Sequence, residues 1–188
     1  MDIGSKINPL LTLEYMQMEN ENKYFDRKSG QIRVAELAPH ISAFANADGG
    51  TLVIGISDKR RTLEGINSCG DEKINEFINA PKDCCRPMPR YREEFIDITN
   101  EDGKPDRLLL LHIEPSIDQV IRTSNDRTFL RIGDKSKEML GENLRNLEYA
   151  KGSRHFEDEI NQNAVIEDLD EELIDAYKNR IGAGNVDT

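Results

Sequence analysis

Residues 37–57, LAPHISAFANADGGTLVIGIS, join two different hydrophobic periodicities across a pair of glycines. Upstream, Val34, Leu37, Ile41, Phe44 and Ala45 recur at spacings of three and four, which predicts a helix with one buried stripe. Downstream, Thr51-Leu52-Val53-Ile54-Gly55-Ile56 is a short apolar run of the kind that forms a buried strand. A segment that is apolar on both sides of its turn belongs at the centre of a fold, with the Asp48-Gly49-Gly50 connection near the surface. Starting the helix near Glu36 places Pro39 in the first turn, where a missing N–H costs little. Asn46, Gly49 and Gly50 then supply the stop and the structural turn into the strand.

The remaining elements follow from pattern and punctuation. Residues 10–16 fit a short helix or an arm packed on a neighbouring surface. Tyr24-Phe25 begin a short strand that puts Asp26 and Lys28 on one side and Phe25 and Arg27 on the other. A helix is expected over residues 71–79, and Pro81, Pro87 and Pro89 turn the next stretch into a loop. Strands over residues 91–98 and 107–114 form a hairpin. A second hairpin, residues 119–122 with 127–132, turns around Ser124-Asn125-Asp126. Residues 142–150 and 159–180 carry helical spacing. Helices and strands are mixed without strict alternation, so the expected class is α+β. It has a mixed sheet of about five to six strands, two to three packed helices and a C-terminal helical acidic extension. The domain plan is an N-terminal arm (1–14), a main domain (15–152) and the extension (153–188).

Charge sharpens that division. The net charge is −11 over 188 residues, and residues 153–188 hold 10 acidic against 3 basic side chains. The acidity is therefore concentrated in the extension, which suits it to a protein partner. The body keeps basic clusters at Arg27-Lys28, Lys59-Arg60-Arg61, residues 82–92 and residues 122–137; these meet phosphates or form a solvated face of mixed sign. No apolar run reaches the ~18 residues of a membrane span, and the first residues lack a signal-peptide pattern, so a cytoplasmic protein is expected. Cys69, Cys84 and Cys85 lack CxxC spacing, which speaks against a disulfide framework or a zinc site.

Several chemistries have no foothold. The sequence contains neither GxxxxGK[ST], GxGxxG nor GxSxG, and the glycine pair follows a helix instead of opening one. His40, His112 and His155 are too dispersed for a ligand set. Glu21, Asp26 and Asp58 are the exception. If their strands are neighbours, the three carboxylates converge beside Lys28, and such a cluster holds Mg²⁺ or Mn²⁺ for phosphodiester hydrolysis.

The order Phe25-Asp26-Arg27-Lys28-Ser29, then residues 41–56 (ISAFANADGGTLVIGI), Gly65 and Phe129-Leu130-Arg131-Ile132-Gly133-Asp134 resembles the Schlafen AlbA-type DNA-binding domain family. The resemblance covers about residues 15–150. It implies an α+β nucleic-acid-binding domain of a bacterial transcriptional-regulator-like protein, expected as a homodimer on DNA or RNA. Arg27, Lys28, Lys59, Arg60, Arg61, Arg127 and Arg131 are the candidate phosphate contacts. Animal members of the wider family cleave structured RNA with three carboxylates. This gives the alternative of a metal-dependent endoribonuclease using Glu21, Asp26, Lys28 and Asp58, although Asp26 stands where that pattern has Glu. A protein-interaction domain without chemistry is the third reading.

Overall fold

Four consecutive leucines, Leu108 to Leu111, are all fully buried, so their strand must be covered on both faces. The computed structural model describes residues 4–153 and 170–180. The main sheet has the order β1 (Phe25–Lys28), β2 (Gly50–Ile54), β5 (Pro105–Ile113), β4 (Tyr91–Thr99). β1 and β2 are parallel, and the other neighbours are antiparallel. Two ribbons lie outside it: β3 (Cys85–Arg86) with β6 (Arg122–Thr123), and β7 (Phe129–Ile132) with β8 (Lys135–Glu138).

Strand alternation sorts the core into two layers. Leu52, Ile54, Leu109, Leu111 and Ile113 meet Leu37, Ile41 and Phe44 from the 3₁₀ turn Val34–Leu37 and α2 (Ala38–Asn46), together with Ile74 and Phe77 of α3 (Asp71–Cys84). On the opposite face Phe25, Val53, Ile96, Ile98, Leu108 and Leu110 meet Leu11 and Met16. Met16 belongs to α1 (Leu13–Met18), so the N-terminal segment closes the second face. α4 (Gly141–Ala150) follows the β7–β8 ribbon. A separate unit, His155–Thr188, contributes α5 (Glu171–Arg180). The helix expected over residues 159–180 otherwise lies outside the described residues. Among the described residues no helix is long and apolar enough to cross a membrane.

The α2–β2 hinge explains its glycines sterically. Gly49 has φ +80°, and a Cβ on Gly50 would stand 2.4 Å from the Phe44 ring. Asn46, the last residue of α2, has its side-chain amide buried. It donates to the carbonyls of Ile121 (2.7 Å) and Phe129 (2.9 Å) and accepts from Ile121 N–H (2.8 Å). Asn46 therefore does more than stop the helix: it fastens the later ribbons to it.

Three details differ from the sequence pattern. α3 continues through Pro81 to Cys84, because Pro81 and Ala80 are buried against the core and that packing outweighs one lost backbone bond. The turn around Ser124-Asn125-Asp126 exists, with Thr123 N–H donating to the Arg127 carbonyl at 2.7 Å, but the flanking strands then separate. Arg122–Thr123 pairs with β3, and β7 pairs with Lys135–Glu138, a polar strand without apolar alternation to announce it. The strands are consequently divided between a four-stranded sheet and two ribbons.

Replacing Asn46 with Ala removes these three hydrogen bonds and a longer one to Ser42 Oγ (3.3 Å), and it leaves the buried Ile121 N–H and Phe129 carbonyl unpaired. A loss of ~3 kcal/mol is expected, since each unsatisfied buried group costs about 1–3 kcal/mol. Urea unfolding measures it; a loss under ~1 kcal/mol would show that the ribbons hold without this anchor.

Candidate functional site

β1 carries the chemistry because it lies at a sheet edge with its Asp26 side turned toward α2 and the β7–β8 ribbon. Asp26 is 1% exposed, yet two cations and an imidazole reach it. One oxygen pairs with Lys28 Nζ; the other accepts from Arg131 Nη1 at 2.7 Å and from His40 Nδ1 at 3.0 Å. Burial alone would raise the Asp26 pKa. The hydrogen bond and charge of His40, with Lys28 beside them, reverse this and hold the carboxyl well below its usual range.

Arg131 is equally enclosed. Its Nη2 donates to the Asn22 carbonyl (2.9 Å) and the Phe25 carbonyl (3.2 Å), and the guanidinium lies 4.8 Å from the centre of the Phe44 ring. Ser136 of β8 stands within 3.3 Å of His40 Nδ1. A single cluster thus joins β1, α2, β7 and β8.

Glu21 occupies the outer rim. Its Oε1 accepts from Arg27 N–H at 3.1 Å and lies 3.8 Å from Lys28 Nζ. Burial, then the neighbouring negative charge of Asp26, push its pKa from 4.5 to about 7, with Lys28 opposing in part. Glu21 also lines a polar cleft of about 350 Å³ with Asn20, Arg27, Asp58, Arg61 and Asp134. Glu21 and Asp58 therefore share a cleft, whereas Asp26 is buried beneath Lys28 and does not line it.

This arrangement does not suit a divalent metal. Both oxygens of Asp26 are engaged by cationic side chains, and two guanidinium groups share the cleft with Glu21 and Asp58. Among the described residues no three His, Cys, Asp or Glu side chains gather closely enough to hold a metal ion.

The candidate phosphate-binding residues fall into two groups. Arg27 is buried, with its guanidinium on the carbonyls of Gln17 (2.6 Å) and Glu19. Arg131 is buried on Asp26, and Lys28 is wedged between Asp26 and Glu21. These three hold the domain together. Lys59 and Arg60 are exposed in the turn that follows β2 and Asp58. Arg61, with φ 57°, donates to the Met18 carbonyl and to Asn20 Oδ1 at 2.6 Å, so it pins the end of α1 while lining the cleft. Arg127 pairs with Glu138 through two bonds of 2.7 and 2.6 Å on the exposed surface. His40 is the site residue that sequence reasoning set aside; its position in the first turn of α2 offers no sign of Asp26, which only the β1–α2 packing reveals.

The titration of this cluster has a defined sign. Native Glu21 retains its proton above the pH at which the unfolded chain loses it, so its contribution to stability falls as pH rises from 4.5 to about 7. Asp26 acts oppositely: its contribution is present above the unfolded value and is lost as pH falls into the acid range. NMR titration should place the Glu21 carboxyl near pH 7, with Asp26→Asn moving it down. Glu21→Gln should flatten the stability slope in that window. A wild-type midpoint at the ordinary 4.5 would overturn this electrostatic account.

A solved structure, the DIP2311 protein of Corynebacterium diphtheriae, is similar at 17% identity with a TM-score of 0.48. The match covers 88% of this chain and 31% of that one, so the chain spans about a third of the length of that protein. The family model Schlafen, AlbA_2 matches residues 14–140, a span that holds the two-glycine hinge, the Asp26 cluster and the β7–β8 ribbon. On that match the chain belongs to the Schlafen AlbA_2 family.

Proposed function

We propose that this domain binds nucleic acid through the Lys59-Arg60 turn and the cleft beneath it. One observation carries the reading: within a Schlafen AlbA_2 domain, two exposed cations stand at the end of the central β2 strand, beside a polar cleft that includes Arg61. Phosphate contact supplies most of non-specific affinity, and screening beyond ~8 Å at physiological salt lets a local basic turn act despite a net charge of −11. The reading extends to a homodimeric, transcriptional-regulator-like protein whose acidic extension meets a protein partner.

Fluorescence anisotropy with labelled duplex DNA and single-stranded RNA tests it. Binding should be weak and salt-sensitive. Lys59→Glu with Arg60→Glu should weaken it at least tenfold and make the salt slope shallower by ~2, about one unit per lost phosphate contact. Absence of a complex at ~100 µM protein in low salt, the weak end of non-specific binding, would end the proposal.

A second reading, phosphodiester cleavage in the same cleft, is favoured by Glu21. A carboxyl titrating near 7 is matched to proton transfer at neutral pH, and Asp58 and Arg61 line the same space. Cleavage of structured RNA that Glu21→Gln abolishes would support it, and an intact RNA panel after long incubation would dismiss it.

A further inference from the structure

Among the described residues β4 is paired on one side only. Glu114 N–H donates to the Arg90 carbonyl at 2.9 Å, which fixes the phase of the β4–β5 ladder. By antiparallel alternation Arg92, Glu94, Ile96 and Ile98 also bond β5, whereas Tyr91, Glu93, Phe95, Asp97 and Thr99 turn their N–H and C=O groups outward. Among the described residues no backbone group meets them. The edge runs for 9 residues without proline or a break in register; of the devices that ordinarily protect exposed edges (shortness, bulges, cover or charge) it carries only charge, chiefly Glu93 and Asp97 on its outward residues.

Beside this edge lies a second cleft, of about 520 Å³, between Glu94–Asp97 on one wall and Gly4, Ser5, Lys6, Pro9 and Thr12 on the other. The far wall is fixed in place. The Glu94 carboxylate accepts from Ser5 Oγ (2.6 Å) and Lys6 N–H (2.5 Å), and it meets His112 Nε2 at 3.0 Å. The slot is thus a standing feature flanked by unpaired strand groups.

Side chains narrow the choice of occupant. Phe95 is exposed, with the Arg107 guanidinium 4.6 Å from its ring centre, and the exposed carboxylates Glu93 and Asp97 flank it on the same face of the strand. A second copy pairing in the register that stacks Phe95 on Phe95 would set Glu93 of each copy opposite Asp97 of the other, and directly opposed like charges destabilise a sheet. Cationic side chains at those positions complete the pattern.

We propose that the β4 edge accepts an extended segment of a partner protein as an added antiparallel strand. Basic residues of that segment stand opposite Glu93 and Asp97, four apart, and an apolar residue between them stands opposite Phe95. The backbone bonds supply the pairing and the two carboxylates the selection. This site is separate from the Lys59-Arg60 turn and does not depend on nucleic-acid binding.

Hydrogen exchange by NMR on the full chain tests the proposal. The probe is the peptide acetyl-Thr-Lys-Thr-Ile-Thr-Arg-Thr-amide, with a control carrying Glu for Lys and Arg. In the free protein the amides of Glu93, Phe95 and Asp97 should exchange fast and those of Arg92, Glu94 and Ile96 slowly. The basic peptide should slow the first set at least tenfold, and the acidic control should not. Phe95→Pro removes an outward N–H without touching the β5 ladder, so it should keep the fold and lose the effect. Glu93→Lys with Asp97→Lys should transfer the response to the acidic peptide. Unchanged outward amides at millimolar basic peptide, the same amides already slow in the free chain, or equal protection by both peptides would each overturn the proposal.

Discussion

The contact between Asp26 and Arg131 is the constraint on which the rest of the domain depends. Neither side chain has access to water, and a buried ion pair by itself returns little or no stability, because desolvating two charges costs about as much as their attraction gains. It is tolerable here because the remaining hydrogen-bonding capacity is also filled. Asp26 takes Lys28 and His40, and Arg131 takes the Asn22 and Phe25 carbonyls and the face of Phe44. These partners come from two segments, residues 22–28 around β1 and the helix α2, while Arg131 reaches them from β7. The cluster fixes where the β7–β8 ribbon must dock against β1 and α2, much as Asn46 fixes the segments around Ile121 and Phe129 from the other end of the helix.

That constraint also separates two populations of cation that look alike along the chain. Arg27 donates to backbone carbonyls, Arg131 pairs with buried Asp26, and Lys28 lies between two carboxylates, so these side chains are committed to holding the fold. Lys59 and Arg60 have no such duty and stand in an exposed turn. The same electrostatics set the proton on Glu21. Burial, combined with a carboxylate beneath it that is ionised at neutral pH, keeps Glu21 near half-titration there. A fixed negative charge below and a titrating one above is a division of roles that three equivalent metal ligands would not show.

The sheet is equally asymmetric. The β1 edge is short and occupied by the ion cluster, with Arg131 and Lys28 across it, whereas β4 presents a long edge with charged side chains and a slot beside it. Placing polar chemistry at one edge and an open ladder at the other leaves the core strands, β2 and β5, free to be apolar on both faces.

Much of this architecture was legible in the order of residues. The helix through Phe44, the glycine hinge, the apolar β2 run and the β4–β5 hairpin follow from periodicity and turn chemistry, which act over a few residues. Alternation likewise put Asp26 and Lys28 on one face of β1, where they meet. Local pattern failed where packing at a distance decides. Pro81 stays within α3 because its ring is buried, and Lys135–Glu138 becomes a strand because β7 needs a partner, not because of its own composition. The site divides in the same way. Sequence determined that Glu21, Asp26, Lys28, Asp58 and a set of basic residues would be present near the central strands. Only the tertiary structure decided that Asp26 is sealed beneath His40 and Arg131 while Glu21 and Asp58 face a cleft. The reason is physical: a charge is made structural or available by what desolvates it and what pairs with it, and both come from residues far away in the chain.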